Sequence, residues 1–526
     1  MGVLSSNETV DVCVIGTGAG GGNLIRELCL QGVKVTALEA GPRLVPEKDF
    51  ENDEWAMFLK TAWLDPRETQ GKDITGLATW TCKTVGGTTL HWAGASLRIQ
   101  PWEFKVKSIY GDIPQANLVD WPIRLEELLP YYEKAEKVLG VSGRIMPFQP
   151  GNTNFLVMKK GAEKLGIKAT AGFMAINSLP YDGRPPCDQC GFCFQGCTIK
   201  AKWNVLYEAI PKAEQTGNLD LRPQCQAIRI ETDSSKRANK VIYADAQGKL
   251  HQIKAKVICV ACNSIETARL LLNSESSQFP HGLANGSGMV GKNYMRHLTA
   301  SSYALFPNPV HAYKGITMMG LIDEFAKNEP KRGFVGGFHL ETIMLGPAFL
   351  SVFIRPGPAT STSQAKALWG KPLQNLMDNY THVAGMWIVG EDLPQLSNGV
   401  TLHKEKKDRF GMPIPVITFN DHPNDKRMRE FGWKKAREIY EAAGAIEVYD
   451  TPPYPATHNL GTCRMGNDPE TSVTNSYGQC HEVKNLFISD GSVFPTGACE
   501  NPTLTISALA IRQAEYIIKE MKALRL

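Results

Sequence analysis

Four cysteines lie within eleven residues in the middle of the chain, at a spacing suited to metal chemistry. They are Cys187, Cys190, Cys193 and Cys197, a C-x2-C-x2-C-x3-C run. Thiolates this close together can wrap a compact iron–sulfur cluster, and the spacing is that of a ferredoxin-type run, although Thr198 stands where that run has proline. A tetrahedral zinc site and free or disulfide-bonded thiols are the alternatives. The odd total of 13 cysteines argues against a complete disulfide framework.

A glycine-rich turn near the N-terminus has the residues for binding a dinucleotide. An apolar segment, 10–15, is followed by Gly16-Thr-Gly18-Ala-Gly-Gly21 and an amphipathic stretch, and a second apolar segment ends in Glu39. In a βαβ unit the first glycine allows a tight turn, the second lets the backbone approach a pyrophosphate, and the third allows close helix–strand packing. The acidic residue can bind both ribose hydroxyls and disfavours a 2′-phosphate, which argues against NADP. The fingerprint does not separate FAD from NAD, and a purely structural turn is the alternative.

Three further segments, placed between the glycine-rich turn and the C-terminus, have distinctive motifs. The first is the glycine-rich stretch Val85-Gly86-Gly87-Thr-Thr-Leu-His91-Trp, and the second runs from Val257 through Ala261 to Arg269. The third is a C-terminal block with His458-Asn-Leu-Gly-Thr-Cys-Arg-Met-Gly466, Asp490-Gly491 and Asn501-Pro-Thr503-Leu504-Thr. Together with the N-terminal turn, these segments resemble the glucose–methanol–choline (GMC) oxidoreductase family, in family order and across the whole chain. Residues 300–450 match that family only loosely.

The resemblance implies that the dinucleotide is FAD. FAD is long and its ring must be buried, so segments from distant parts of the chain must converge on it. By resemblance, Gly86 and Gly87 cover the flavin, and Ala261 lies near the adenosine end. Asp490 and Gly491 would lie against the ribityl and pyrophosphate groups, with the backbone amides of Thr503 and Leu504 near the pyrimidine ring. His91 lies where some relatives bond the flavin methyl group to a histidine; a histidine packed there without a bond is the alternative.

The resemblance also implies a catalytic pair. Oxidation of an alcohol needs a base for the hydroxyl proton, and histidine suits this step because its ordinary pKa lies near neutrality. By resemblance His458 is this base, and Asn501 orients the substrate hydroxyl. A histidine that is merely hydrogen-bonded in a turn is the alternative reading of His458. Most of the other histidines lie in polar sequence and are predicted at the surface, as for His251, His281, His403 and His422.

The cysteine run is similar to an insert in the catalytic subunits of bacterial sugar dehydrogenases of this family, which carry an iron–sulfur cluster. In the glucose type the ligands match Cys187, Cys193 and Cys197 and hold a [3Fe–4S] centre. Cys190 is additional here and leaves [4Fe–4S] open. Such a centre favours a dehydrogenase, which delivers single electrons to a cytochrome or quinone, over an oxidase, which passes electrons to O₂ at the flavin.

The expected fold is α/β, with a GMC-type, Rossmann-like FAD-binding domain and a second α+β substrate domain built on an antiparallel sheet. The FAD-binding domain is assigned to residues 8–100, 200–300 and 455–526. The substrate domain is assigned to residues 101–199 and 301–454, with a cysteine-rich loop at 185–198.

The predicted function is oxidation of a hydroxyl at ring C3 or C1 of a sugar or glycoside, with electrons leaving through FAD and the cluster. The alternatives are an oxygen-using oxidase with structural cysteines, and a flavin-binding electron-transfer subunit without substrate chemistry. A small partner subunit and a cytochrome-type acceptor are the expected partners.

Composition and targeting signals limit the kinds of partner and the cellular locations that we expect. The net charge is only +4 over 526 residues and the charges are mixed along the chain, so a nucleic-acid groove is not expected. No apolar stretch is long enough to span a bilayer, and no export signal is expected at the N-terminus. Export through a signal-bearing partner subunit leaves the location open between periplasm and cytoplasm.

Overall fold

The computed structural model describes residues 4–73, 79–354, 368–451, 453 and 457–526. The strands are β1 Leu4–Ile15, β2 Val35–Leu38, β3 Glu68–Gln70, β4 Thr170–Ala171, β5 Leu219–Arg222, β6 Gln226–Thr232, β7 Ala238–Ala244, β8 Leu250–Val260, β9 Lys292–Met295, β10 Leu298–Leu305, β11 Gly320–Ile322, β12 Phe338–Thr342, β13 Val383–Gly390, β14 Gly399–Lys407, β15 Pro413–Thr418, β16 Glu447–Thr451, β17 Leu460–Thr462 and β18 Leu486–Ile488. The helices are α1 Ala19–Leu30, α2 Pro46–Asp49, α3 Glu54–Thr61, α4 Val106–Tyr110, α5 Leu125–Leu139, α6 Thr153–Lys164, α7 Ala209–Gln215, α8 Asn263–Leu272, α9 Pro347–Phe353, α10 Gly370–Asp378, α11 Pro423–Ala443 and α12 Thr503–Lys522.

A seven-stranded sheet carries the N-terminal glycine turn. Its order is β5-β2-β1-β8-β7-β6, and β18 pairs with the C-terminal half of β8. Strands β5, β2, β1, β8 and β18 run parallel, with Val12 opposite Val35 on one side and Val257 on the other. The central residues of β1 are fully buried, as is typical of a parallel sheet covered on both faces. Since β18 joins this sheet, the C-terminal block lies beside the N-terminal turn.

A six-stranded sheet forms the second layer. Its order is β16-β10-β13-β12-β11-β4, and all of its pairs are antiparallel. Every residue of β10 and β13 is buried, with Leu298 opposite Gly390. Helices α6 and α11 pack on this sheet and on each other. The prediction of an α/β fold with a parallel Rossmann-like core and a separate antiparallel sheet is confirmed.

A five-stranded sheet connects the two predicted sets of chain segments. Its order is β17-β9-β14-β15-β3. Strands β3, β9 and β17 fall in the segments assigned to the FAD-binding domain, whereas β14 and β15 fall in those assigned to the substrate domain. Because this sheet takes strands from both sets of segments, it does not separate the two proposed domains, and their boundaries stay a prediction. Among the helices of the described ranges, none is both long and apolar enough to cross a membrane.

Candidate active site

A large cavity lies where the sheets meet, with about 1790 Å³ of space free of protein atoms, a volume that includes open solvent at its mouth. Most of the residues predicted to bind a cofactor or to act in catalysis lie in its wall: Gly16, Gly18, Glu39, Gly87, His91, Ala261, His458, Asp490, Gly491, Asn501 and Thr503. Gly21, Gly86 and Leu504 lie behind this lining, as do the four clustered cysteines. Residues up to 487 positions apart in sequence thus converge on one space, from Gly16 to Thr503.

The glycine turn between β1 and α1 shows why each glycine is needed. Gly16 has φ +96°, and a Cβ there would lie 2.3 Å from the Ala261 carbonyl oxygen. A Cβ on Gly21 would lie 2.0 Å from the Gly16 carbonyl oxygen, whereas a Cβ on Gly18 would meet nothing within 4 Å. Gly18 is the N-cap of α1, so its open side faces the free amides at the helix N-terminus. Gly20, which the fingerprint did not single out, packs against the end of β18, since its Cβ would lie 1.6 Å from the Ser489 carbonyl oxygen.

Glu39 follows β2 directly and lies at the edge of the cavity. One carboxylate oxygen accepts hydrogen bonds from the Thr17 amide at 3.1 Å and the Thr17 hydroxyl at 2.7 Å, and the other accepts from the Gly41 amide at 2.9 Å. Burial raises the pKa of Glu39, although these hydrogen bonds oppose the shift. The carboxylate is therefore fixed in place beside the glycine turn.

Asp490 holds chain segments together at the cavity wall. One carboxylate oxygen accepts from the Asn263 amide at 3.0 Å and the Thr267 hydroxyl at 2.6 Å. The other accepts from the amide and hydroxyl of Ser492 at 2.9 and 2.5 Å. These bonds tie the C-terminal block to the start of α8. Asp490 thus fixes the loop geometry near the cavity.

His91 follows a short 3₁₀ turn that begins with Gly86 at φ +94° and Gly87 at φ +51°. The His91 ring stacks on Trp80 with centroids 4.7 Å apart and is 3% exposed. Burial, reinforced by the charge of Lys202, lowers the pKa of His91 to about 3, so the imidazole is neutral. Its Nε2 is buried and has no hydrogen-bond partner among the described residues. The ring presents an unsatisfied nitrogen at the cavity.

His458 is held by a second histidine that the sequence analysis missed. His297 Nε2 lies 2.9 Å from the Gly497 carbonyl oxygen, and His297 Nδ1 lies 3.1 Å from His458 Nδ1. A carbonyl oxygen only accepts, so His297 carries its proton on Nε2 and accepts at Nδ1. His458 then donates from Nδ1, which leaves its Nε2 with a free lone pair. Burial, and secondarily the charge of His297, lower the pKa of His458 well below its ordinary value.

Asn501 lies at the start of the segment that leads into α12 and is 4% exposed. Its Nδ2 donates to Glu341 Oε2 at 3.5 Å, and its Oδ1 has no partner in the described part of the chain. Burial raises the pKa of Glu341 to about 7. Trp387 lies beside His458, with ring centroids 5.4 Å apart, and its buried indole N–H has no partner among the described residues. Several unsatisfied polar atoms therefore surround the space next to His458.

The cysteine loop contributes Phe194 to the cavity wall, whereas its four cysteines do not line the cavity. Cys193 is buried, Cys187 and Cys197 are half-buried, and Cys190 is exposed. The amides of Gln189 and Lys202 donate to the sulfurs of Cys187 and Cys197 at 3.4 Å. No three of the four sulfurs lie within 4.8 Å of one another. Sulfurs around one zinc ion are about 3.8 Å apart, given a Zn–S distance of about 2.3 Å, so the thiols are not arranged as ligands of a single zinc ion.

Aromatic rings connect this loop with the cavity. Phe194, within the loop, lies 5.9 Å from Trp80, and Trp80 stacks on His91. Lys202 is fully buried, and its Nζ donates to the carbonyl oxygens of Leu90, Trp92 and Cys193 at 2.6–2.8 Å. Burial lowers the pKa of Lys202 to about 8. The ammonium therefore braces the loop against the segment that carries His91.

Sequence reasoning missed His297, Glu341 and Lys202 because none of them lies in a recognisable spacing. Their partners are 161, 160 and up to 112 positions away. The prediction that His422 lies at the surface is wrong: it is 5% exposed, caps α11 by accepting the Asn424 amide proton at Nδ1, and donates from Nε2 to the Pro114 carbonyl oxygen. A polar neighbourhood in sequence does not reveal a buried helix cap.

The residues present fit an FAD molecule. The free amides at the α1 N-terminus face open space in front of Gly18, which suits a pyrophosphate. Glu39 lies at the end of the neighbouring parallel strand, where a ribose would reach it. His91 and Asn501 line the same cavity, so the ring system of FAD would lie against His91 and leave Asn501 for the substrate.

Models of the N-terminal and C-terminal parts of GMC oxidoreductases match residues 75–299 and 394–510. The chain is 33% identical to the 2-methyl-1,2-propanediol dehydrogenase of Mycolicibacterium austroafricanum, over 98% of this chain and 96% of that protein. It is 30% identical to the fructose dehydrogenase large subunit of Gluconobacter japonicus, over 98% and 99% of the two chains. It is 27% identical to the gluconate 2-dehydrogenase flavoprotein of Pantoea cypripedii, over 98% of this chain and 95% of that protein.

The fold has a counterpart among solved structures. The pyridoxine 4-oxidase of Mesorbium loti superposes with a TM-score of 0.64 over 97% of this chain and 99% of that one, at 16% identity. This likeness concerns the fold alone. Taken with the full-length sequence relatives and the matching models, it leads to one conclusion: the chain belongs to the GMC oxidoreductase family, whose members bind FAD, and is an oxidoreductase that acts on alcohol or sugar hydroxyls.

Proposed function

We propose that the protein is an FAD-dependent dehydrogenase that oxidises a ring hydroxyl of a sugar or glycoside, at C3 or C1, with His458 as the base. The observation that carries this proposal is the His458–His297–Gly497 chain, which leaves His458 Nε2 unprotonated at a cavity that Asn501 also lines. When bound, FAD supplies the acceptor for the hydride that leaves the substrate carbon. The protein residues bind and orient the hydroxyl and accept its proton.

His458 Nε2 accepts the hydroxyl proton in this proposal. Because His458 Nδ1–H donates to His297, the imidazolium that forms would be oriented by that bond while the proton is held on Nε2. Asn501 positions the hydroxyl, and Glu341 fixes the Asn501 amide at 3.5 Å. Asn501 and Glu341 are buried, and the low local dielectric constant strengthens these interactions.

The polar lining favours a substrate with several hydroxyls. Asn501 Oδ1 is an acceptor and the Trp387 indole N–H is a donor, and both are buried without partners among the described residues. Sugars can satisfy both kinds of group, whereas an alkyl alcohol would leave one unpaired at a cost of about 1–3 kcal/mol. The names of two relatives, a fructose dehydrogenase and a gluconate 2-dehydrogenase, point the same way.

We also propose that Cys187, Cys193 and Cys197, with or without Cys190, hold an iron–sulfur cluster, [3Fe–4S] or [4Fe–4S]. The sequence spacing and the two N–H···S bonds support it, since amide donors stabilise cluster thiolates. Phe194 and Trp80 lie between the loop and His91. The cluster would pass electrons to a cytochrome-type acceptor, and a small partner subunit is proposed because one relative is named as the large subunit of its enzyme.

Anaerobic reduction of the purified holoenzyme by a panel of sugars, glycosides and simple diols tests the substrate proposal, with the product identified by NMR. We expect sugars or glycosides to bleach the flavin and yield a ketone or lactone. Reduction by diols alone would overturn the sugar assignment. Rapid O₂ consumption with the same substrate would instead identify an oxidase, as two 29%-identical relatives are named: the 6'''-hydroxyparomomycin C oxidase of Streptomyces lividus and the paromamine 6'-oxidase of Streptomyces fradiae.

Iron analysis and electron paramagnetic resonance of the same sample test the cluster. We expect iron in the wild type and its loss in Cys193→Ser. If Cys190→Ser retains its iron, the centre has three cysteine ligands; if Cys190→Ser loses its iron, the centre has four. Absence of iron from protein purified without oxygen would overturn the proposal. An intact mass equal to the bare polypeptide after denaturation would show that FAD is not bonded to His91.

A further inference from the structure

A second group of buried side chains lies next to Asn501 and outside the cavity lining. His339 belongs to β12, and Cys499 and Glu500 belong to the segment that leads into α12. One ligand atom from each of the three lies within 4.8 Å of the other two. Their exposed fractions are 2%, 0% and 1%. An imidazole, a thiol and a carboxylate thus meet in a space closed to solvent.

One of these side chains, His339, has no hydrogen-bond partner. Both of its ring nitrogens are buried and lack a partner among the described residues, whereas the Glu500 carboxylate lies against the side chains of Glu103 and Gln100. Leaving such a group unsatisfied is unfavourable, because the lost hydrogen bonds to water are not replaced. Native structures keep few groups of this kind, and a bound ion is one of the recognised explanations.

Buried carboxylates surround this group. Glu103 faces Glu500, and its carboxylate oxygens accept from the amides of Cys499 at 2.8 Å and Gln100 at 2.9 Å. Glu341 lies two residues from His339 on the same face of β12. No lysine or arginine of the described chain forms an ion pair with Glu103, Glu341 or Glu500. Several buried carboxylates without a positive partner are unfavourable unless protons or a metal ion neutralise them.

The spacing suits a tetrahedral metal ion better than a hydrogen bond. His339 Nε2 and Glu500 Oε1 are 3.4 Å apart and do not form a hydrogen bond. Two ligands at about 2.1 Å from a tetrahedral zinc ion are about 3.4 Å apart, which is the edge of the tetrahedron. Nitrogen, thiolate and carboxylate ligands together are typical of zinc, whereas calcium and magnesium prefer oxygen alone.

We propose that His339, Cys499 and Glu500 bind one zinc ion. The Cys499 thiol proton passes to solvent when the metal binds, and the fourth position is open to Glu103 or to a water molecule. None of the three ligands lines the cavity, so the ion is structural and does not contact the substrate. It ties β12 to the segment before α12 and so fixes the position of Asn501.

Elemental analysis and zinc-edge X-ray absorption of the purified holoenzyme test this proposal, with ZnCl₂ as the probe and dialysis to remove loosely bound metal. We expect one tightly held zinc ion per chain, with one sulfur and otherwise nitrogen or oxygen neighbours. Zinc surrounded by sulfur alone would place the metal in the cysteine loop and overturn the assignment. No retained zinc after incubation and dialysis would also overturn it.

Variants locate the ion. Cys499→Ser and Glu500→Gln should each lower the tightly held zinc from one ion per chain to none. Cys480→Ser is the matched control, because Cys480 is equally buried and belongs to no such group; it should keep the zinc. Unchanged zinc in both ligand variants would refute the site. If Cys499→Ser does not fold, Glu500→Gln and the wild-type spectrum decide the question.

Discussion

Replacing Gly18 by alanine separates cofactor binding from folding. Gly18 has φ −68° and ψ −163°, which any residue can adopt, and its added Cβ would meet no protein atom within 4 Å. The unfolded chain loses entropy, which stabilises the fold by about 0.4–1 kcal/mol, and the less favourable N-cap costs a similar amount. The free energy of unfolding of the apoprotein should therefore change by less than about 1 kcal/mol.

FAD binding should weaken clearly in Gly18→Ala. The new methyl group projects into the space in front of the α1 amides, where the pyrophosphate is proposed to bind. Losing one charge-assisted hydrogen bond costs about 1.5–3 kcal/mol, which raises the Kd for FAD by a factor on the order of 10 to 10². Titration of apoprotein with FAD, followed by flavin fluorescence, measures this Kd, and urea unfolding measures the stability.

The neighbouring Gly20→Ala serves as the contrasting variant. Its Cβ would lie 1.6 Å from the Ser489 carbonyl oxygen, so α1 must move away from β18 and the fold itself should be destabilised. An unchanged Kd for FAD in stable Gly18→Ala would refute the placement of the pyrophosphate. Equal destabilisation of both variants would show that the space in front of Gly18 is not open.

Three further outcomes follow from the site. His458→Ala should lower kcat by a factor on the order of 10² or more while FAD stays bound, and near-normal turnover would contradict its role as base. His297→Phe should lower kcat at least about tenfold without a matching rise in KM, because His458 would no longer be held with its proton on Nδ1 and its Nε2 free. Because burial lowers the pKa of His458, the base stays unprotonated below pH 6.5, so kcat/KM should not fall until the pH is well below that value; an acid limb centred at 6.5 or above would be evidence against this. His91 has a folded pKa of about 3, so the unfolded chain binds a proton below pH 6.5 while the native one does not. Because of this group, the free energy of unfolding of the apoprotein should fall by about 1.4 kcal/mol per pH unit as the pH falls from 6.5 toward 3. Urea unfolding at several pH values should show that the free energy of unfolding of His91→Phe depends less steeply on pH.

Local chemistry explains what could be predicted from the sequence. The turn at Gly16 needs a positive φ, and Gly21 must admit a neighbouring backbone, so both requirements are visible in a short stretch of residues. The position of Glu39 at the end of the second strand could be predicted from the length of one strand–helix–strand unit. The parallel core and the antiparallel second sheet followed from the family resemblance, which the full-length relatives support.

Contacts between distant segments explain what could not be predicted. Asp490 matched a family motif, but its bonds to Asn263 and Thr267, over 220 positions away, depend on the pairing of β18 with β8. The zinc site proposed at His339 likewise joins a strand to a segment 160 residues later.

The sequence by itself determined the family, the dinucleotide turn and the candidate base, because each depends on residue types at fixed short spacing. Only the tertiary structure decided which nitrogen of His458 is free to accept a proton. That choice is made by His297, 161 residues away, and by the Gly497 carbonyl oxygen behind it. A hydrogen bond fixes a tautomer only where folding brings donor and acceptor within about 3 Å, and no short spacing in the sequence encodes that distance.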